Sequence, residues 1–222
     1  MRHRIFYEEL LKTTQIDGMD IDEYDIDSDH LIIIDKKSNE VVGTFRLRSS
    51  RFVDRFYSES EFEMQEFKDI PGEKLELGRA CIDPQYRKGT VISLIWRGIA
   101  EYLNKTASDI LFGCSSVHVT HEEFTAFRIF LEKEGVLSDQ YSVRPKESFD
   151  ARKYGFSTTT KLAPEVVDSE PKIPPLFAFY LRAGATFSPW VAFDQAFDCI
   201  DFFTVLKIKD LTESLSRKYT HQ

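Results

Sequence analysis

Residues 75–105, "LELGRACIDPQYRKGTVISLIWRGIAEYLNK", constrain the fold more than any other stretch of the chain. Alternating apolar residues in "LELGRACI" predict a strand. Asp83-Pro84 ends it, a basic turn Arg87-Lys88-Gly89-Thr90 follows, and Ile92, Ile95, Ile99 and Leu103 then share one face of a helix. A strand–turn–helix leaves free backbone N–H groups at the helix start, with the helix dipole behind them, and that arrangement suits a phosphate. Gly89 lets the backbone come close, while Arg87 and Lys88 add charge. Many helices also begin with a short basic turn, and this one fits neither the Walker A pattern nor G-x-G-x-x-G.

The strand itself carries two charges. Alternation puts Glu76 and Gly78 on one face and Leu75, Leu77 and Arg79 on the other. A carboxylate on an apolar strand is costly unless it is paired or used. Glu76 therefore reads either as one half of a strand-edge salt bridge or as a general base.

The rest of the chain reads as alternating elements. Residues 2–13 have helical spacing, and "HLIIIDKKSNEVVGTFRLRS" reads as a hairpin. "SESEFEMQEF" predicts a short helix, "DILFGCSSV" a buried strand, and "THEEFTAFRIFLEKEG" a helix with a capping box at Thr120 and Glu123. After Pro174-Pro175 a short helix ends near Gly184. "WVAFD" and "CIDFFTVLKI" are strands, and "DLTESLSRKY" a last helix. The stretch 138–170 gives no clear element. Strands interrupted by helices predict a mixed α/β (α+β) fold, organised as one domain over 1–222 in which residues from about 171 onward complete the sheet.

Composition removes several classes. A net charge of −8 speaks against nucleic acid as a partner. Cys81, Cys114 and Cys199 form no paired motif and read as free thiols of a reducing compartment. No signal peptide and no apolar run of about 20 residues is legible, so a cytoplasmic protein is expected, with peripheral contact at the inner membrane left open. "DIDSDH" opens like a calcium loop, but His30 and Lys36 stand where glycine and glutamate are required. That stretch is either a solvated loop or a place for a cationic substrate. His118 and His121 lack a third ligand, so no metal is expected. Ser115 and Ser116 lie in no G-x-S-x-G elbow. The 19 phenylalanines suit an aromatic core or an apolar ligand.

Taken in order, "RHRIFYEE", "DIDEYDIDSDHLIIID…VVGTFRLR", "LELGRACIDPQYR…LIWRGIAEYL", "LFGCSSV" and "PPLFAFYLRAGA" resemble the blocks of bacterial ornithine N-acyltransferases. This group, also labelled hemolysin-like, is similar to acyl-homoserine-lactone synthases and long-chain N-acyl amino acid synthases. The resemblance implies a GNAT fold, with helices on both faces of a mixed central sheet that splays between "LELGRACI" and "ILFGCSSV". It implies transfer of a long-chain, 3-hydroxylated or plain, fatty acyl group from acyl carrier protein to the α-amine of an amino acid, ornithine first. No bound cofactor is implied, and the donor is the acyl-phosphopantetheine of the carrier or acyl-CoA. Glu76 is then the base. Arg79, Arg46 and Asp25 would meet the acceptor, and Arg87, Lys88, Gly89, Thr90 and Ser115 the phosphopantetheine. Arg87, Lys88, Arg97, Arg128 and Lys133 would form a basic mouth for an acidic carrier. The turn departs from the usual GNAT loop, with Tyr86 and Val91 at its first and sixth positions. An N-acyl amino acid synthase, an autoinducer synthase and an inactive acyl-binding module remain the alternative readings.

Overall fold

The computed structural model describes residues 1–15, 17–87, 89–157 and 171–211. In chain order the elements are β1 (Asp29–Asp35), β2 (Glu40–Ser49), β3 (Phe62–Glu63), α1 (Gln65–Asp69), β4 (Glu73–Ile82), α2 (Thr90–Thr106) and β5 (Ser108–Val117). These are followed by α3 (His121–Lys133), β6 (Arg144–Pro145), α4 (Pro175–Ala183), β7 (Thr186–Asp194) and β8 (Cys199–Lys207). The chain forms two compact units. One contains Met1–Tyr57 and Gly72–Leu111, the other 58–71 and 112–211.

In the first unit β2 pairs antiparallel with β1 on one side and with β4 on the other. Alternation gives β2 two distinct faces. Gly43, Phe45 and Leu47 look toward α2. A Cβ on Gly43 would lie 2.7 Å from Val91 Cγ1, so only a bare backbone lets α2 pack this closely. Phe45 stacks obliquely on Trp96 at 6.5 Å. α2 buries Ile95, Ile99 and Leu103 of the predicted stripe together with Val91 and Trp96, whereas Ile92, expected on that stripe, is only half-buried. It ends in a left-handed residue, Ala107, whose N–H bonds Leu103 O.

The other face of β2 presents Thr44, Arg46 and Arg48, all buried. Near it lie the N-terminal helix Arg4–Leu10 and the acidic loop before β1. That helix is wound wider than an α-helix: Leu11 N–H reaches back five residues to Phe6 O at 3.2 Å. The pairing of β2 with β4 contains a bulge. Thr44 faces Cys81 and Arg46 faces Gly78, so two steps on β2 oppose three on β4. Arg79, at φ +49°, sits in the bulge.

The second unit holds the latter part of β5 beside β8, which pairs antiparallel with β7. Its core is aromatic. Phe67 packs on Phe112 at 4.9 Å and on Phe203 at 5.0 Å. Phe177 stacks on Phe187 at 4.3 Å, with Phe127 and Phe202 edge-on to Phe177. Each such ring fully buried contributes about 1.5–3 kcal/mol of hydrophobic stabilisation. α3 starts in the capping box its sequence announces: Thr120 Oγ1 accepts from Glu123 N and Glu123 Oε2 accepts from Thr120 N. α4 stops at Gly184, φ +90°.

Two expectations change. The helix expected over 58–67 is a turn, then β3, then α1, because Phe62 is drawn into the core and its strand pairs with β6. The last helix expected from the sequence lies mostly outside the described residues. Among the described residues, no helix is long and apolar enough to cross a membrane.

Candidate active site

The polar face of the first unit gathers charges from four segments. Arg46 Nη1 donates to Asp22 Oδ1 at 2.6 Å and to Asp25 Oδ1 at 3.2 Å. Arg2 closes a two-pronged bond on Asp25 at 2.7 and 2.9 Å and also reaches Asp20 at 2.6 Å. Arg79 donates to Asp22 Oδ2 at 2.9 Å and lies 3.5 Å from Asp20. Tyr24 and Tyr57 place their rings 5.6 and 5.3 Å from the Arg46 guanidinium. Arg46 is 2% exposed, and its Nη2 is buried with no hydrogen-bond partner among the described residues.

Burial opposes ionisation of Asp25. The hydrogen bond from Arg2, the N–H of Asp22 and the nearby Arg2 and Arg46 charges outweigh it and hold the carboxyl well below the usual range. Burial likewise works against the Arg79 cation, yet Tyr57, Asp20 and Asp22 keep it firmly charged. The face sets three arginines, Arg2, Arg46 and Arg79, against three aspartates, Asp20, Asp22 and Asp25.

Alternation places Arg79 on the Leu75 face, and the structure corrects this. The extra residue of the bulge, with its left-handed backbone, turns the Arg79 side chain onto the face that holds Arg46 and Asp22. Asp25, expected to meet a cationic acceptor, has both oxygens engaged by arginines and by the Asp22 N–H.

Glu76 lies opposite Arg48 in the pairing of β2 with β4, and each is no more than 3% exposed. Glu76 Oε2 accepts from Tyr57 N at 2.8 Å, and Arg48 Nε stands 4.0 Å away. Arg48 is itself a tie between loops. It donates to Tyr24 O, Ser28 Oγ, Asp27 and Arg55 O. Glu76 thus accepts a backbone amide beside Arg48, on the same strand and face that leads to Arg79.

At the basic turn, Gly89 takes φ +100° directly before α2, a conformation that favours glycine. Thr90 is the first residue of α2. Arg87 is bound to Glu9 at 2.6 and 3.0 Å and to Ile82 O at 3.0 Å. Lys88 lies outside the described residues. Ser115 belongs to the second unit, where its Oγ accepts from Thr204 Oγ1 at 2.8 Å in a buried setting. The expected basic mouth loses Arg128, which is 6% exposed and donates to Pro189 O at 2.7 Å.

Sequence reasoning missed two groups. Asp20 and Asp22 anchor the arginines, but their partners are far away in the chain. Asp201 sits in the core of the second unit, where burial pushes its carboxyl pKa up although Ser116 donates to it at 2.5 Å. Asp194 and Cys199 lie beside it, and together the three are the described residues spaced as a metal ion would need.

The acetyltransferase (GNAT) domain family matches residues 1–97, which include Arg2, Asp20, Asp22, Asp25, Arg46, Glu76 and Arg79 of the charged face. An L-ornithine N(alpha)-acyltransferase of Rhizobium meliloti (strain 1021) is 32% identical over 94% of this chain and 74% of its own length. One of Brucella abortus (strain 2308) is 29% identical over 99% of this chain and 81% of its own. A solved CoA-dependent acyl-homoserine lactone synthase with MTA covers 96% of this chain and 74% of its own at 14% identity, with a TM-score of 0.49. By its GNAT domain and by these relatives, the chain is an acyltransferase and belongs to the L-ornithine N-acyltransferase family.

Proposed function

We propose that the protein moves a long-chain fatty acyl group from the phosphopantetheine thioester of acyl carrier protein to the α-amine of ornithine. The observation that carries the acceptor half is the buried Arg46 Nη2, a charged donor with no hydrogen-bond partner among the described residues. An α-carboxylate satisfies it. Arg2, Arg46 and Arg79 face Asp20, Asp22 and Asp25 in equal number, and an amino acid brings its carboxylate and α-ammonium as an equal pair, so the choice of ornithine is supported by the L-ornithine N(alpha)-acyltransferase relatives and not by a charge count. In this reading Asp25 fixes the arginines rather than receiving the cation directly.

Glu76 is the proposed base. The bound acceptor arrives as an ammonium, which cannot attack. Glu76 takes one proton, directly or through a water, and the nitrogen lone pair adds to the thioester carbonyl carbon. The tetrahedral adduct collapses with cleavage of the C–S bond. The amide forms as the nitrogen gives up its second proton to solvent water, the sulfur leaves as thiolate, and the proton held on Glu76 passes to it. The thioester is already activated, so proton removal and orientation are the main tasks left to the protein. Gly89, Thr90 and the open N–H groups of α2 are proposed to take the pantetheine phosphate, with Arg87 beside them.

The test is thiol release with acyl carrier protein carrying plain and 3-hydroxylated chains, against a panel of amino acids. Ornithine is expected to be used best, lysine next, and neutral amino acids poorly, with acyl carrier protein preferred over CoA. Equal or better use of glycine or tyrosine contradicts the acceptor assignment.

A further inference from the structure

We propose that the loop tips bearing Ile21, Ile26 and Phe52 are a membrane-docking surface that dips into the hydrocarbon edge of a phospholipid bilayer. Ile26 is 89% exposed, and Ile21 and Phe52 are each 66% exposed. They stand on two neighbouring loops, and buried Arg48 fastens those loops together. It bonds Tyr24 O at 2.6 Å and Ser28 Oγ at 2.8 Å on one loop, and Arg55 O at 2.7 Å on the other. Arg55 closes a second tie to Glu23 at 2.7 and 3.0 Å. The apolar tips are therefore held outward by a built framework.

The charges beneath them argue for lipid. The first loop is rich in carboxylates, and an unpaired carboxylate brought toward hydrocarbon is prohibitive. Here Asp20 is paired with Arg2, Asp22 with Arg46 and Arg79, Glu23 with Arg55, Asp25 with Arg2, and Asp27 with Arg48. In a chain of net charge −8, the five acids from Asp20 to Asp27 that flank Ile21 and Ile26 are compensated, while Asp17, before them, accepts from Met19 N–H. Three side chains on loop tips fall well short of the roughly 800 Å² per partner that a stable protein interface buries, whereas shallow insertion of a few apolar residues suffices for peripheral lipid contact. The inference rests on the proposed reading in one respect: a fatty acyl amino acid is an amphiphile, and the loop that would hold its polar head carries the tips that touch the bilayer.

The experiment is flotation of the full chain with vesicles of phosphatidylcholine, and of phosphatidylcholine with phosphatidylglycerol, at low and high salt and without donor or acceptor. The wild type is expected to float with both and to ignore salt. Ile26→Ser and Phe52→Ser are each expected to lower the vesicle partition coefficient about tenfold, with melting and acyl transfer between soluble substrates unchanged. Absence of flotation overturns the proposal. So does flotation that requires anionic lipid and disappears in salt, or a concentration-dependent dimer abolished by the same substitutions in a protein that ignores vesicles. Flotation needs no turnover, so failure of the acyltransferase reading in the thiol assay is distinct from failure of docking here.

Discussion

Arg79 reaches Asp22, 57 residues away in sequence, at 2.9 Å, and it does so from a left-handed backbone at φ +49° inside a bulge. A non-glycine residue in that region costs on the order of 1 kcal/mol. The pairing of β2 with β4 holds it there, and the result is one charged face shared by Arg79, Arg46 and Glu76.

Arg46→Lys keeps the charge and removes the planar fork. Loss of a charge-assisted hydrogen bond is worth about 1.5–3 kcal/mol. The KM for the amino acid is therefore expected to rise about 10- to 100-fold, while the KM for the acyl donor stays within about twofold by the same relation. Steady-state kinetics with each substrate varied separately check this. A proportional rise in both constants would mean that Arg46 serves the fold and not the acceptor.

Asp25 and Asp201 are expected to give opposite pH dependence of stability. The pKa of Asp25 is depressed in the folded protein, so its contribution is present above the unfolded carboxylate value of about 4 and is lost as pH falls. The pKa of Asp201 is raised, so its contribution is present below that value and is lost as pH rises. Asp25→Asn should thus be most destabilising near neutrality, with the gap to wild type closing in acid. Asp201→Asn should gain on wild type as the solution becomes less acidic. Thermal melts across the acid-to-neutral range measure both. Parallel behaviour of the two variants contradicts the account.

The turn before α2 offers a pair of changes with opposite signs. Gly89→Ala forces a Cβ onto φ +100° and is expected to raise the donor KM while leaving the acceptor KM alone. Glu9→Gln weakens the two-pronged hold on Arg87 and is expected to lower the donor KM a few-fold, with increased sensitivity to salt. Donor saturation curves at two salt concentrations distinguish these outcomes from general loss of fold.

Much of this was legible in the sequence, for physical reasons. α2 declared itself through apolar spacing, and α3 through Thr120 and Glu123, because periodicity and capping are local. The position of Arg79 was not legible, since the bulge that turns it depends on how β4 pairs with β2. Asp20 and Asp22 were not legible as anchors because Arg2, Arg46 and Arg79 come to them from separate segments. Asp201 was hidden within an apolar strand run, where only burial reveals its effect. The unusual winding of the N-terminal helix left no mark on its spacing.

Glu76 is where the reading of the site is most exposed to test. The deciding measurement is kcat/KM against pH for wild type and Glu76→Gln, with melts of both. Glutamine keeps the shape and the acceptor oxygen for Tyr57 N but cannot take the amine's proton. The account expects a folded variant slowed about 10²- to 10⁴-fold, with donor KM little changed and residual activity climbing with pH as free amine becomes abundant. A folded Glu76→Gln protein with near-wild-type kcat/KM across the pH range would contradict it and leave Glu76 a structural role beside Arg48 and Tyr57.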